Sequence, residues 1–309
     1  MLRYALLLLP VLTACSPAPD ETTGAVIPEF EYSPANAQPT PTPSLTPGLN
    51  HFVFRSWPGP EVPVWVYVPL SAEAESAPIM FMMHGAKRGA ARYLSEWDQV
   101  AEAEGFIVVA PEFSKALFPS SSSYNRGRVF EPGTLERHAQ SDWTFSTLEP
   151  IFDLVLAGLD SEQDRYTLYG HSAGSQFAHR YMYFVPDARV KRFLPANAGW
   201  YTMPDLDIEY PYGLKGTGVT PEQLRAVLEN DVVVLLGDQD NDPNHESLRR
   251  SAGADLQGTH RFARGKTFYE TARASAEQLN ADFAWEMRVV QGVAHKNGGI
   301  AAASGDLIE

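Results

Sequence analysis

From residue 51 onward the apolar positions fall into short blocks, some alternating and some continuous, separated by stretches of helical period. Residues 52–57 and 62–68 read as two strands joined by the turn Pro58-Gly59-Pro60. The second alternates, with Val62, Val64, Val66 and Val68 on one side, as a half-buried antiparallel pair at a sheet edge would. Residues 77–83 and 106–110 are unbroken apolar runs fit for central strands, with a helix over 91–104 between them. Residues 114–141 follow no period and are rich in turn chemistry; so long an excursion in a compact domain is functional or mobile. A helix over 143–159 leads into a strand that starts at residue 166, and further strands are expected over 190–194, 232–236 and 283–290. A helix begins at Thr220-Pro221-Glu222 and another covers 265–279. Strands alternating with helices after an initial hairpin make one α/β domain, a mostly parallel sheet with helices on both faces. Sites in such sheets lie beyond the carboxyl ends of the strands, where His84, Ser172, Trp200, Asp240 and His295 fall.

The stretch Tyr166-Thr167-Leu168-Tyr169-Gly170-His171-Ser172-Ala173-Gly174 is the most informative in the chain. A strand, then Gly-x-Ser-x-Gly, then a helix is the order that a nucleophile elbow requires. Glycine at 170 and 174 removes side chains that would collide across so tight a turn. The turn lifts the hydroxyl of Ser172 above the sheet. It also leaves the N–H of Ala173 at a helix N-terminus, where the dipole favours a developing oxyanion.

Composition narrows the partners. The 309 residues are 44% hydrophobic and 11% aromatic, enough for a large core, and carry a formal net charge of −14 with a pI near 5.0. So acidic a chain is a poor ligand for nucleic acid or a bare anionic membrane. Its single cysteine, Cys15, excludes an intrachain disulfide and follows a short apolar run that opens with Arg3. That run is too short to span a bilayer and reads as a signal sequence over residues 1–15. Its ending Leu12-Thr13-Ala14-Cys15 resembles the bacterial lipobox, in which the cysteine is acylated, so a lipid anchor at the cell envelope is expected. Residues 16–50 are proline- and threonine-rich and read as an extended tether before a catalytic domain over 51–309.

A serine hydroxyl needs a base within reach and a group to orient that base. Among eight histidines, His295 follows the last strand in a loop of small residues, where an imidazole can swing over the elbow. His171 adjoins the serine as support, while His245 and His260 lie in polar loops and are expected to be solvated. The orienting acid belongs after the strand 232–236, where Asp238, Asp240 and Asp242 compete. Their spacing imitates the start of a calcium loop, but Pro243 stands where that loop requires glycine and Arg249 where it requires its last glutamate. No zinc spacing occurs, so neither a metal nor another cofactor is expected.

The His84-Gly85 strand end, the Gly170–Gly174 elbow, the Gly237-x-x-Asp240 turn and His295 together resemble an α/β-hydrolase of the serine-esterase type, from about residue 50 to the end. Met83-His84-Gly85-Ala86 and Ala110-Pro111-Glu112-Phe113 are most similar to polyhydroxybutyrate-depolymerase-like and feruloyl-type esterases. The resemblance implies the α/β-hydrolase fold and Ser172, Asp240 and His295 as triad, the acid lying three residues beyond Gly237. It further implies an oxyanion hole from Ala86 and Ala173, and an acyl-enzyme route on a small or polymeric ester. Phe113, Trp200, Tyr201 and the 124–126 loop are candidates for the walls of the pocket, or else for packing beneath long loops. A peptidase or amidase on the same fold, and a non-catalytic binding lipoprotein, are the alternatives.

The N-terminal reading makes a direct prediction. The natural protein should fractionate with membranes, and Cys15→Ser should release active enzyme into the soluble fraction. A mature N-terminus other than acylated Cys15 in intact-mass spectra would refute the anchor.

Overall fold

The computed structural model describes residues 30–309, so the expected signal sequence, Cys15 and the first part of the expected tether lie outside the described residues. The elements are β1 (Gly48–Phe54), β2 (Val62–Val68), β3 (Ile79–Met83), α1 (Ala90–Leu94), α2 (Asp98–Glu104) and β4 (Ile107–Pro111). Then come α3 (Leu148–Leu159), β5 (Tyr166–His171), α4 (Ala173–Phe184), β6 (Val190–Ala196) and α5 (Pro221–Leu228). The chain ends with β7 (Val232–Gly237), α6 (Ala252–Asp255), α7 (Arg261–Leu279), β8 (Trp285–Val290) and α8 (Asn297–Ala302). The eight strands form one sheet in the order β1-β2-β4-β3-β5-β6-β7-β8. The β1–β2 and β2–β4 pairs are antiparallel and all the others parallel.

Strand side chains alternate between two cores, as the period of two requires. In β7, Val232, Val234 and Leu236 point to the face covered by α3, α4, α5 and α7. Val233 and Leu235 point to the face of α1, α2 and α8. Each side chain of this size taken wholly from water contributes about 1.5–3 kcal/mol before ordering costs, so the double-sided burial of β3, β4, β5 and β7 anchors the domain.

Several boundaries differ from the pattern. The helix expected over 91–104 is broken between Leu94 and Asp98, and the turn seats Trp97, which is fully buried against Tyr169. Residues 114–141 form no α-helix or strand, only the bridge Phe130–Arg137 and the start of a 3-10 turn at Gln140, yet Phe118, Tyr124, Val129 and Phe130 are buried in the core. The expected tether does not extend to residue 50. Residues 30–47 lie on the domain, and β1 already starts at Gly48. Gln38 N–H donates to Arg55 O at 3.0 Å, and Leu45 N–H reaches Gly158 O at 3.4 Å. Tyr32 meets Trp57 edge-on at 5.6 Å and lies 3.6 Å beneath the Arg128 guanidinium. Composition read this segment as solvated because its few aromatic anchors are diluted among prolines.

Tyr32→Ala should therefore cost about 1–2 kcal/mol, from its edge-on contacts with Phe30 and Trp57 and its cation–π contact with Arg128. In a thermal melt that is a fall of roughly 2–8 °C, with kcat/KM unchanged. An unaltered melting temperature would show that the docked segment adds nothing to stability.

Candidate active site

The site is built at the carboxyl ends of β3, β5 and β7 and in the loop after β8. Ser172 follows β5 directly and caps α4 with φ 59° and ψ −113°, a left-handed conformation that a residue with a Cβ resists. The turn is possible because of its glycines. A Cβ on Gly170 would stand 2.1 Å from Gly174 O, and one on Gly174 would stand 1.8 Å from Met83 O. Gly174 is therefore required by the neighbouring strand β3 as much as by the elbow itself.

His295 lies over this serine. Its Nε2 is 3.1 Å from Ser172 Oγ and its Nδ1 is 2.7 Å from Asp240 Oδ2. An ionised carboxylate only accepts, so Nδ1 carries the proton and Nε2 is free to accept from the serine hydroxyl. Burial above all, with help from Arg261 and His245 and against the pull of Asp240, holds the His295 pKa below the ordinary histidine value. His171 supports the ring from below. The two imidazole centroids are 4.7 Å apart, and His171 Nδ1 is 3.1 Å from the Tyr93 hydroxyl. Burial pushes the His171 pKa well down, so a neutral ring lies under His295.

The three competing aspartates do three different things. Asp240 faces His295 and is 4% exposed. Asp238 Oδ1 accepts the Gly292 N–H at 2.7 Å and so pins the loop that carries His295. Asp242 caps Asn244 at the exposed surface. They do not converge as ligands.

Ser172 opens into a cleft of about 580 Å³ that is also lined by Ala86, Ala173, Tyr124, Gln176 and Trp200. Two of the expected pocket residues lie away from the cleft. Phe113 is fully buried among Phe118, Tyr124 and Phe177, and Tyr201 is fully buried, stacked on Phe268 at 4.4 Å. Both are core, because an aromatic side chain needs burial whether it packs or lines a wall. Trp200 does line the cleft, with the Arg180 guanidinium 4.2 Å behind its ring. His84 is also structural: its Nε2 accepts the Phe113 N–H at 3.0 Å, and burial drives its pKa down to about 3. His245 stands 5.7 Å edge-on to His295 and so borders the site, where the sequence placed it in solvent. A larger groove of about 770 Å³ runs along α7 but contains none of these residues.

Sequence reasoning missed the charge of the cleft. Arg88, Lys115, Arg126, Arg249 and Arg261 line it against the single carboxylate of Glu246. Only Arg261 of the five forms an ion pair among the described residues. Arg180, fully buried behind Trp200, has no carboxylate partner there either, and burial lowers its pKa to about 9. These residues are scattered over some 170 positions, so no local pattern announces them.

An elbow serine facing a histidine–aspartate pair above a mostly parallel sheet defines a class, the hydrolases of the α/β type. Comparison with solved structures agrees. Poly(aspartic acid) hydrolase-1 from Sphingomonas sp. KT-1 is 42% identical, with a TM-score of 0.82 over 85% of this chain and 99% of that one. LpqC, a poly(3-hydroxybutyrate) depolymerase from Bordetella parapertussis, is 30% identical, with a TM-score of 0.79 over 85% and 89%. A ferulic acid esterase, at 16% identity and a TM-score of 0.54 over 84% and 94%, shares the fold alone. No protein-family model and no curated protein matches the chain. The chain belongs to the α/β-hydrolase family, among its serine esterases, and is an enzyme of the carboxylic ester hydrolase class.

The aspartates offer a discriminating set of variants. Asp240→Asn should lower kcat by about 10⁴ in a folded protein, the loss that follows when an imidazole is held in the wrong tautomer. Asp238→Asn should mainly lower the melting temperature, and Asp242→Asn should be nearly normal. Collapse of turnover in folded Asp238→Asn beside an active Asp240→Asn would make Asp238 the acid.

Proposed function

We propose that Ser172, His295 and Asp240 act as nucleophile, general base and orienting acid in ester hydrolysis through an acyl-enzyme. The observation that carries this reading is the unbroken line from Ser172 Oγ through both ring nitrogens to Asp240 Oδ2. Ser172 attacks the ester carbonyl while His295 Nε2 takes its proton, and Asp240 stabilises the imidazolium. The N–H groups of Ala86 and Ala173, both at the cleft beside Ser172, receive the oxyanion. His295 then protonates the leaving alcohol, and water repeats the sequence on the acyl-enzyme. The proposal includes an acylated Cys15 that holds the enzyme at the bacterial cell envelope.

The cleft favours a second reading of the substrate. Cations concentrated beside the nucleophile of a chain with net charge −14 focus a positive field where an acyl group must enter. That field selects substrates with carboxylates near the scissile bond, including the amide links of an acidic polymer, as the name of the 42% identical hydrolase implies for that protein.

Ser172→Ala should keep the fold and lose turnover of p-nitrophenyl esters by on the order of 10⁴ or more, together with fluorophosphonate labelling. Ordinary turnover in that variant would end the triad assignment. For the substrate, kcat/KM on an oligoaspartate should fall steeply with added salt, and Arg126→Gln should raise KM on it more than on a neutral ester. Equal salt response on both substrates would remove the anionic reading and leave the ester one.

A further inference from the structure

Arg261 is the first residue of α7, and its side chain is 1% exposed. Nη1 donates to Asp240 Oδ1 at 3.3 Å, on the oxygen that His295 leaves free, and Nη2 donates to Ser247 Oγ at 3.0 Å. Nε has no acceptor among the described residues. The next residue repeats the attachment through the main chain, since Phe262 N–H donates to Asp240 O at 3.0 Å. The first turn of α7 therefore holds Asp240 by backbone and side chain together. A buried ion pair is weak evidence of a stabilising role, because desolvation consumes most of the Coulombic gain. Its geometry says more. A carboxylate bonded only to His295 is free to rotate about its broad terminal torsion, whereas one held at both oxygens keeps its plane.

We propose that Arg261 is a positioning residue of the relay, holding Oδ1 of Asp240 so that Oδ2 stays aimed at His295 Nδ1. The proposal rests on the triad reading above. It also has an electrostatic consequence. The groups that face His295 are Asp240 and His245 from the loop after β7, Arg261 from α7, and His171 and Ser172 from the elbow. Arg261 disfavours the imidazolium, so removing its charge lets His295 hold a proton to higher pH. Activity should then be lost from the acid side, and the acid limb of kcat/KM should move upward.

The test uses the full chain with p-nitrophenyl acetate from about pH 5 to 9. It compares the natural protein with Arg261→Met, which keeps the apolar stem but has neither charge nor donor, and Arg261→Lys, which keeps charge but cannot fork. Arg261→Met should lower kcat on the order of 10- to 100-fold, short of the ~10⁴ for loss of the acid, with KM held within about twofold. Its acid limb should rise by about half a pH unit or more. Arg261→Lys should lose part of kcat with the acid limb near its natural position. A folded Arg261→Met with natural kcat and an unmoved limb overturns the proposal. If Arg261→Met does not fold, Arg261→Lys decides: reduced kcat at unchanged KM supports positioning, and natural kcat overturns it. Turnover persisting in Ser172→Ala would instead sink the triad itself, whatever the Arg261 variants do.

Discussion

The turn at Ser172 exists because three strands leave room for nothing larger beside it. Gly170 and Gly174 meet backbone to backbone, and Gly174 in turn lies against the carbonyl of Met83 at the end of β3. The Ser172 N–H is held by Ala196 O at the end of β6, 3.0 Å away. A left-handed serine costs on the order of 1–3 kcal/mol, and the flanking strands hold it there against that cost. The same contact brings the loop after β3, with Ala86, beside the first turn of α4, so one packing constraint places Ser172 and both candidate oxyanion donors. The loops after β7 and β8 are coupled in a similar way through Asp238 and Gly292, which brings Asp240 and His295 within reach of each other.

Charge is distributed against the average of the molecule. The chain as a whole is acidic, yet the cleft beside Ser172 collects arginines with few acidic neighbours. Burying a guanidinium without a carboxylate is costly even when its N–H groups find carbonyls, as those of Arg88 do at Phe113 and Ser120. A fold bears that cost where the field has a use. Here the cations flank Ser172, and they supply an attraction for anions that the elbow and its histidine do not. Arg261 joins the two systems, since it belongs to the cleft and to the Asp240 carboxylate at once.

Much of this was legible in the chain. Continuous apolar runs marked the buried strands, and the alternation in β2 appears as strictly alternating burial. The strand–Gly-x-Ser-x-Gly–helix order located Ser172, because an elbow is a local structure whose requirements are met by adjacent residues. His295 and Asp240 were found by chain order, which a doubly wound sheet converts into position. Their meeting across 55 residues, and the separate partners of Asp238 and Asp242, depend on how two loops pack.

The sequence by itself determined the fold class, the elbow at Ser172 and the short set of residues that would gather around it, since these follow from periodicity and from neighbours along the chain. Only the tertiary structure decided that Phe113 and Tyr201 are core while Trp200 lines the cleft, for an aromatic residue seeks burial in either place. It alone decided that residues 30–47 lie on the domain, because a few aromatic and backbone contacts outweigh a composition that otherwise reads as solvated. It alone assembled the cationic cleft and set Arg261 against Asp240. Charges far apart in the chain are brought together by packing, and no local pattern records which of them will meet.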